Sequence, residues 1–61
     1  MNRIKELREK AKFTQAELAN LLGVSRVAVA QWERGENSPR VDTLIKMSKL
    51  FKVTTDDLLR L

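Results

Sequence analysis

Residues 15–34 read Gln-Ala-Glu-Leu-Ala-Asn-Leu-Leu-Gly-Val-Ser-Arg-Val-Ala-Val-Ala-Gln-Trp-Glu-Arg, and two short helical patterns share this stretch. Leu18, Ala19 and Leu22 recur at the spacing of one buried helix face, and Gly23 breaks the pattern. A left-handed residue closing that helix is the physical reading of the glycine. Thr14 opens the first helix, with Glu17 three residues on to complete a capping box. Phe13, just before the cap, is placed to pack on Leu18 as a hydrophobic staple. Ser25 caps the second helix, which runs to Glu33 or Arg34 before Gly35 ends it.

Outward from this pair the chain continues in helices. The first runs from Asn2 or Arg3 to about Lys12, with Asn2 a plausible cap and Ile4, Leu7 and Ala11 on one face. Arg8 sits at the margin of that stripe. Residues 35–40, Gly-Glu-Asn-Ser-Pro-Arg, form a polar loop, and a fourth helix spans Val41–Phe51. Thr54 with Asp57 makes another capping box, so a fifth helix covers Thr55 to Arg60. Pro39, Gly23 and Gly35 all fall at breaks, and no long β-branched alternation occurs. The chain reads as one all-α domain over residues 1–61, built of five short helices.

Sixty-one residues lie near the lower limit for a single core, and with no cysteine or histidine neither disulfides nor zinc are expected to staple it. Nothing resembles a signal peptide or a membrane span, so a soluble, cytoplasmic protein is expected. Net charge is +4, unevenly spread: residues 1–12 carry +3, residues 41–52 carry +2 and the last nine carry −1. That distribution suits a polyanionic partner on one side, with an ordinary solvated surface as the plainer alternative.

At about 100° per residue, the third helix turns Val29 and Trp32 inward and Val27, Ala30, Gln31 and Arg34 outward, with Arg26 flanking them. An unpartnered exposed face would carry Lys and Glu. This one suits base edges in a DNA major groove, as the second helix of a helix-turn-helix. Arg26 matches guanine O6 and N7, Gln31 adenine N6 and N7, and Val27 the thymine methyl, while Ala30 permits close approach. Each has a plainer alternative: Arg26 on phosphate, Val27 a lone exposed hydrophobe, Gln31 mere surface. Gln15 opens a helix whose free N–H groups favour a phosphate, and Ser25, Arg34, Asn37, Ser38 and Arg40 are further phosphate candidates.

Laid out in this way, Leu7-Arg8, Thr14-Gln15-Ala16-Glu17-Leu18-Ala19, Gly23-Val24-Ser25, Gln31-Trp32-Glu33-Arg34-Gly35 and Pro39 resemble the Cro/C1-type (XRE) helix-turn-helix family of phage repressors and small bacterial regulators. The resemblance covers about Arg3 to Leu59. It implies a compact five-helix, lambda-repressor-like domain binding double-stranded DNA as a symmetric homodimer. It further implies base reading at Arg26, Val27 and Gln31, and a phosphate contact at Gln15. In such repressors an arginine of helix 1 often pairs with a glutamate ending helix 3, here Arg8 and Glu33, both at the edges of their apolar stripes. Many relatives have Gly where Lys52 stands, which marks the helix 4–5 junction as a departure.

Helix 4 is apolar over a wide arc through Val41, Leu44, Ile45, Met47, Leu50 and Phe51. A central helix contacted on several sides is the first expectation; a dimer patch adding Phe51, Val53, Leu59 or Leu61 is the second. No catalytic constellation, metal spacing, cofactor loop, small-molecule site or membrane-binding segment is evident. The leading expectation is a sequence-specific transcriptional regulator, most simply a repressor. Its rival is a protein-interaction module of the same fold, antitoxin-like or coactivator-like, with DNA contact secondary.

Overall fold

A computed structural model of the chain describes residues 3–59. It contains α1 (Ile4–Lys10), α2 (Gln15–Leu22), α3 (Arg26–Arg34), α4 (Val41–Phe51) and α5 (Thr55–Leu59), with no strand among the described residues. The expected cap at Asn2 and the expected end of the fifth helix at Arg60 lie outside them.

Side chains start three of these helices where short polar residues precede an apolar stripe. Thr14 Oγ1 accepts from the Glu17 amide at 3.0 Å while the Thr14 amide donates to Glu17 Oε1 at 2.8 Å, a complete capping box. Ser25 Oγ accepts from the Ala28 amide at 3.1 Å, and Thr54 Oγ1 from the Asp57 amide at 3.1 Å.

The four junctions that follow α1 to α4 share one way of stopping. Gly23 (φ 71°) and Gly35 (φ 76°) are left-handed, and the next residue's amide reaches back into the last turn: Val24 to the Ala19 carbonyl at 3.0 Å, Glu36 to the Gln31 carbonyl at 2.9 Å. Lys12 (φ 63°) and Lys52 (φ 58°) do the same without glycine, with Phe13 reaching the Arg8 carbonyl at 3.1 Å and Val53 the Ser48 carbonyl at 3.0 Å. Helix 1 therefore ends at Lys10 rather than Lys12, because the chain reverses at Lys12 to enter α2. Ala11, expected on the buried face, falls beyond the last turn and is exposed.

Each helix sends one fully buried side chain to the centre: Ile4, Leu18, Val29, Met47 and Leu58. Leu7, Ala19, Leu22 and Trp32 surround them. Each such aliphatic side chain contributes about 1.5–3 kcal/mol of transfer free energy. The Arg3 amide donates to the Leu58 carbonyl at 2.9 Å, which ties the start of the described chain to α5. A central α4 is not what forms. Only Thr43 and Met47 of this helix are buried, while Val41 is 71% and Ile45 44% exposed. The other helices pack on one side of α4, since five short elements are too few to surround it. Phe51 and Val53 lean on the core, Leu59 stays exposed, and Leu61 lies outside the described residues.

Candidate nucleic-acid interface

The Ser25 cap and the Gly35 stop set the length of α3, and Val29 and Trp32 set its rotation by anchoring one face in the core. Arg26, Val27 and Arg34 are consequently exposed, Val27 at 54%, and Gln31 is half-buried. Ala30 departs from expectation in its exposure: it is only 8% exposed, although it stands outside the core cluster. By helical phase it still lies on the outward arc, about 40° from the exposed Arg26 and Arg34, whose longer side chains flank it. Its methyl is too short to emerge from among them.

Behind α3 lies a buried ionic network. Arg8 Nε donates to Glu33 Oε2 at 2.6 Å and Arg8 Nη2 to Glu33 Oε1 at 3.2 Å, a bidentate pair with side chains only 10% and 5% exposed. The third arm, Arg8 Nη1, donates to the Phe13 carbonyl at 2.7 Å, just before the α2 cap. Hydrogen bonding to Glu33 is the main reason that the Arg8 guanidinium is more basic than usual, against the opposing effect of burial. One arginine thereby fastens α1 to the end of α3 and to the start of α2.

Gln15 enters the same network. Its Nε2 donates to Glu33 Oε1 at 2.9 Å, and its Oε1 accepts from Arg26 Nη1 at 3.3 Å. The side chain expected to hold phosphate therefore bridges a buried carboxylate to the first residue of the exposed face. Ser25 Oγ is engaged as a cap acceptor, which leaves its hydroxyl hydrogen to donate outward.

At the other end of α3, Arg34 makes a bidentate pair with Glu36, Nε to Oε2 at 2.7 Å and Nη2 to Oε1 at 3.2 Å, in full solvent. That pairing holds the Glu36 carboxyl below the usual carboxylate range and makes Arg34 more basic. Glu36 was not among the expected site residues, although its position two residues after Arg34 is the only signal it offers. Asn37 Nδ2 donates to Gln31 Oε1 at 3.3 Å. A cleft of about 410 Å³ opens between α3 and the loop, with Gln31, Asn37, Ser38 and Arg40 among its lining. Ser38 and Arg40 are exposed on either side of the buried Pro39. The face thus combines a half-apolar centre, Val27 with Gln31, and cations or neutral donors at its edges. Among the described residues no three acidic side chains come together as a metal site, and no helix is long and apolar enough to cross a membrane.

Two helices at this turn, with the second exposed and anchored from behind, define a helix-turn-helix domain. The chain belongs to the helix-turn-helix family HTH_3, whose pattern matches residues 4–58. It is 43% identical over 58 residues to the repressor protein C2 of Salmonella phage P22, covering 95% of this chain and 27% of that protein. It is 44% identical over 57 residues to the transcriptional regulator ImmR of Bacillus subtilis, covering 93% of this chain and 45% of the relative. The chain thus spans about a quarter to a half of these two relatives. Among solved structures, the P22 c2 repressor in complex with a synthetic operator superposes with a TM-score of 0.87 at 43% identity, covering 95% of this chain and 88% of that one. Hydroxypropylphosphonic acid epoxidase from S. wedmorenis contains a similar unit, with a TM-score of 0.80 at 31% identity, but this chain covers only 30% of it.

Proposed function

We propose that this domain is a cytoplasmic, sequence-specific double-stranded DNA-binding regulator, most simply a repressor, which lays α3 in the major groove. The observation that carries the reading is the outward face of α3. Arg26, Val27 and Gln31 are presented together there, and the Arg8–Glu33 pair holds the helix from behind. Val27 is suited to a thymine methyl and Arg26 to guanine. Ser25, Ser38 and Arg40, at the two ends of that face, are placed for phosphate, and Arg34 joins them once it leaves Glu36. The likeness to a repressor solved with its operator supports this reading.

The domain acts by binding, not catalysis; the epoxidase's activity belongs to a protein of which this unit matches less than a third. A homodimer reads two half-sites about one helical turn apart. The exposed Val41, Ile45, Leu50 and Leu59 are the apolar surface from which its contact would be drawn.

Selection from a randomised duplex library at near-physiological salt tests the proposal. A recovered palindrome supports the dimeric regulator, and a single half-site supports the DNA reader but not the dimer. A folded chain that enriches no sequence would overturn the proposal in favour of a protein-interaction module.

A further inference from the structure

Asn37 stands in the polar loop, where an exposed amide is most simply a phosphate contact, yet its side chain is already engaged. We infer that Asn37 is a positioning residue for base recognition: by donating to Gln31 Oε1 it turns the Gln31 amide so that Nε2 leads into the groove. This inference rests on the base-reading role proposed for Gln31.

The backbone builds the contact. Gly35 is left-handed, and the Glu36 amide returns to the carbonyl of Gln31 itself at 2.9 Å. The chain is thus folded back over the last turn of α3, and the next residue, Asn37, arrives beside the Gln31 side chain. Gln31 is half-buried at the rim of the cleft, which restricts its side chain more than that of the exposed Arg26. Its Nε2 makes no hydrogen bond among the described residues, whereas its Oε1 accepts from Asn37 at 3.3 Å.

The chemistry follows from the inventory of an amide. An unconstrained glutamine offers one acceptor and two donors, and so suits adenine through N6–H and N7 together. Here one lone pair of the acceptor is taken by Asn37 and the oxygen is turned toward the loop, which makes it a weaker partner for the adenine amino group. The leading group is a donor. Acceptor-rich edges are then favoured, above all guanine, which shows N7 and O6. The base pair facing Gln31 is accordingly expected to be guanine-bearing rather than adenine-bearing.

The test compares base preferences of the whole chain and four variants by selection from a randomised duplex library, with thermal melts to verify folding. Asn37→Ala is expected to flatten discrimination by about fivefold at one base pair, the pair that Gln31→Ala also flattens. Asn37→Asp cannot donate; its carboxylate accepts from Gln31 Nε2 and turns Oε1 outward, so preference there moves toward bases with an amino group. The added negative charge weakens all sequences alike and cancels from the preference. Asn37→Ser, a shorter donor, is expected to fall between wild type and Asn37→Ala. Equal loss on every sequence for Asn37→Ala would show a phosphate contact instead and overturn the inference. If Gln31→Ala leaves every preference unchanged, the base-reading role itself falls, a distinct result that removes the ground for this inference too.

Discussion

Glu33 is the residue on which most of the interface depends, because it accepts from two arms of Arg8 and from Gln15 at once. Glu33→Gln keeps the shape but leaves the Arg8 charge, at 10% exposure, with the carboxylate of Glu9 at 4.0 Å as its remaining ion-pair partner. The expected cost is about 3 kcal/mol, at the low end for a broken buried pair because Arg8 keeps the Phe13 carbonyl. A denaturation midpoint unchanged from wild type would refute this. Glu36 should act in the opposite sense on binding. It occupies the Arg34 guanidinium, so Glu36→Gln is expected to raise DNA affinity and to steepen the salt dependence by up to about 0.9 per decade of salt. Affinity titrations at several salt concentrations check both. The Glu36 carboxyl titrates below its unfolded value, so whatever stability its pair supplies is present above the ordinary Glu range and is lost as pH falls through the lowered value. Because the pair is fully solvated, acid melts of Glu36→Gln and wild type should nearly coincide. The sequence pointed to Arg8 and Glu33, which sit at the edges of apolar stripes. It did not show Gln15 or Asn37 as partners of other side chains. Those contacts depend on where a turn delivers a residue, and neither has a periodic signature.

Helix starts were legible because capping is local: Thr14, Ser25 and Thr54 each satisfy an amide three residues away. Helix stops were legible where the stop was glycine. Gly23 and Gly35 announced themselves, while Lys12 adopts the same left-handed backbone with no mark in the sequence. Its conformation is imposed by the need to aim α2 at the core. Lys52 was marked only by its departure from the glycine of many relatives, and at φ 58° it still takes the glycine conformation. Lys52→Gly is therefore expected to stabilise the domain by about 0.5–1 kcal/mol, relief of backbone strain outweighing the greater freedom of glycine in the unfolded chain. Gly23→Ala runs the other way. A Cβ at Gly23 meets nothing within 4 Å, so the penalty is that of φ 71° alone, about 1 kcal/mol. Chemical denaturation of the two variants would separate backbone strain from packing, because neither changes the core.

For the whole molecule, one fully buried side chain per helix makes the core an all-or-none construction. Leu58→Ala removes the α5 member and is expected to cost about 2–5 kcal/mol, a large share of what a small domain has. Thermal unfolding should report it as a loss of the entire fold rather than release of α5 alone. Binding is a property at the same scale. Arg26→Ala should cost about 1–3 kcal/mol and relax preference at one base pair, whereas uniform loss would reassign Arg26 to phosphate. Among the described residues, Val41 and Ile45 of α4 stay largely uncovered. Sedimentation of Ile45→Glu with and without operator DNA would show whether a second copy covers them: an unchanged dimer moves the contact elsewhere.

The sequence by itself determined the all-α class, the five elements, the caps at Thr14, Ser25 and Thr54 and most of the inward faces, because amphipathic period and capping act within a few residues. It also carried the family resemblance and the outward placement of Arg26 and Val27. Tertiary structure alone decided that α4 is packed on one side, and that Gln15 and Asn37 meet the two ends of the exposed face. Those outcomes turn on the angle at which one helix meets another and on the direction a left-handed turn sends the chain, and neither is encoded by any single stretch of residues.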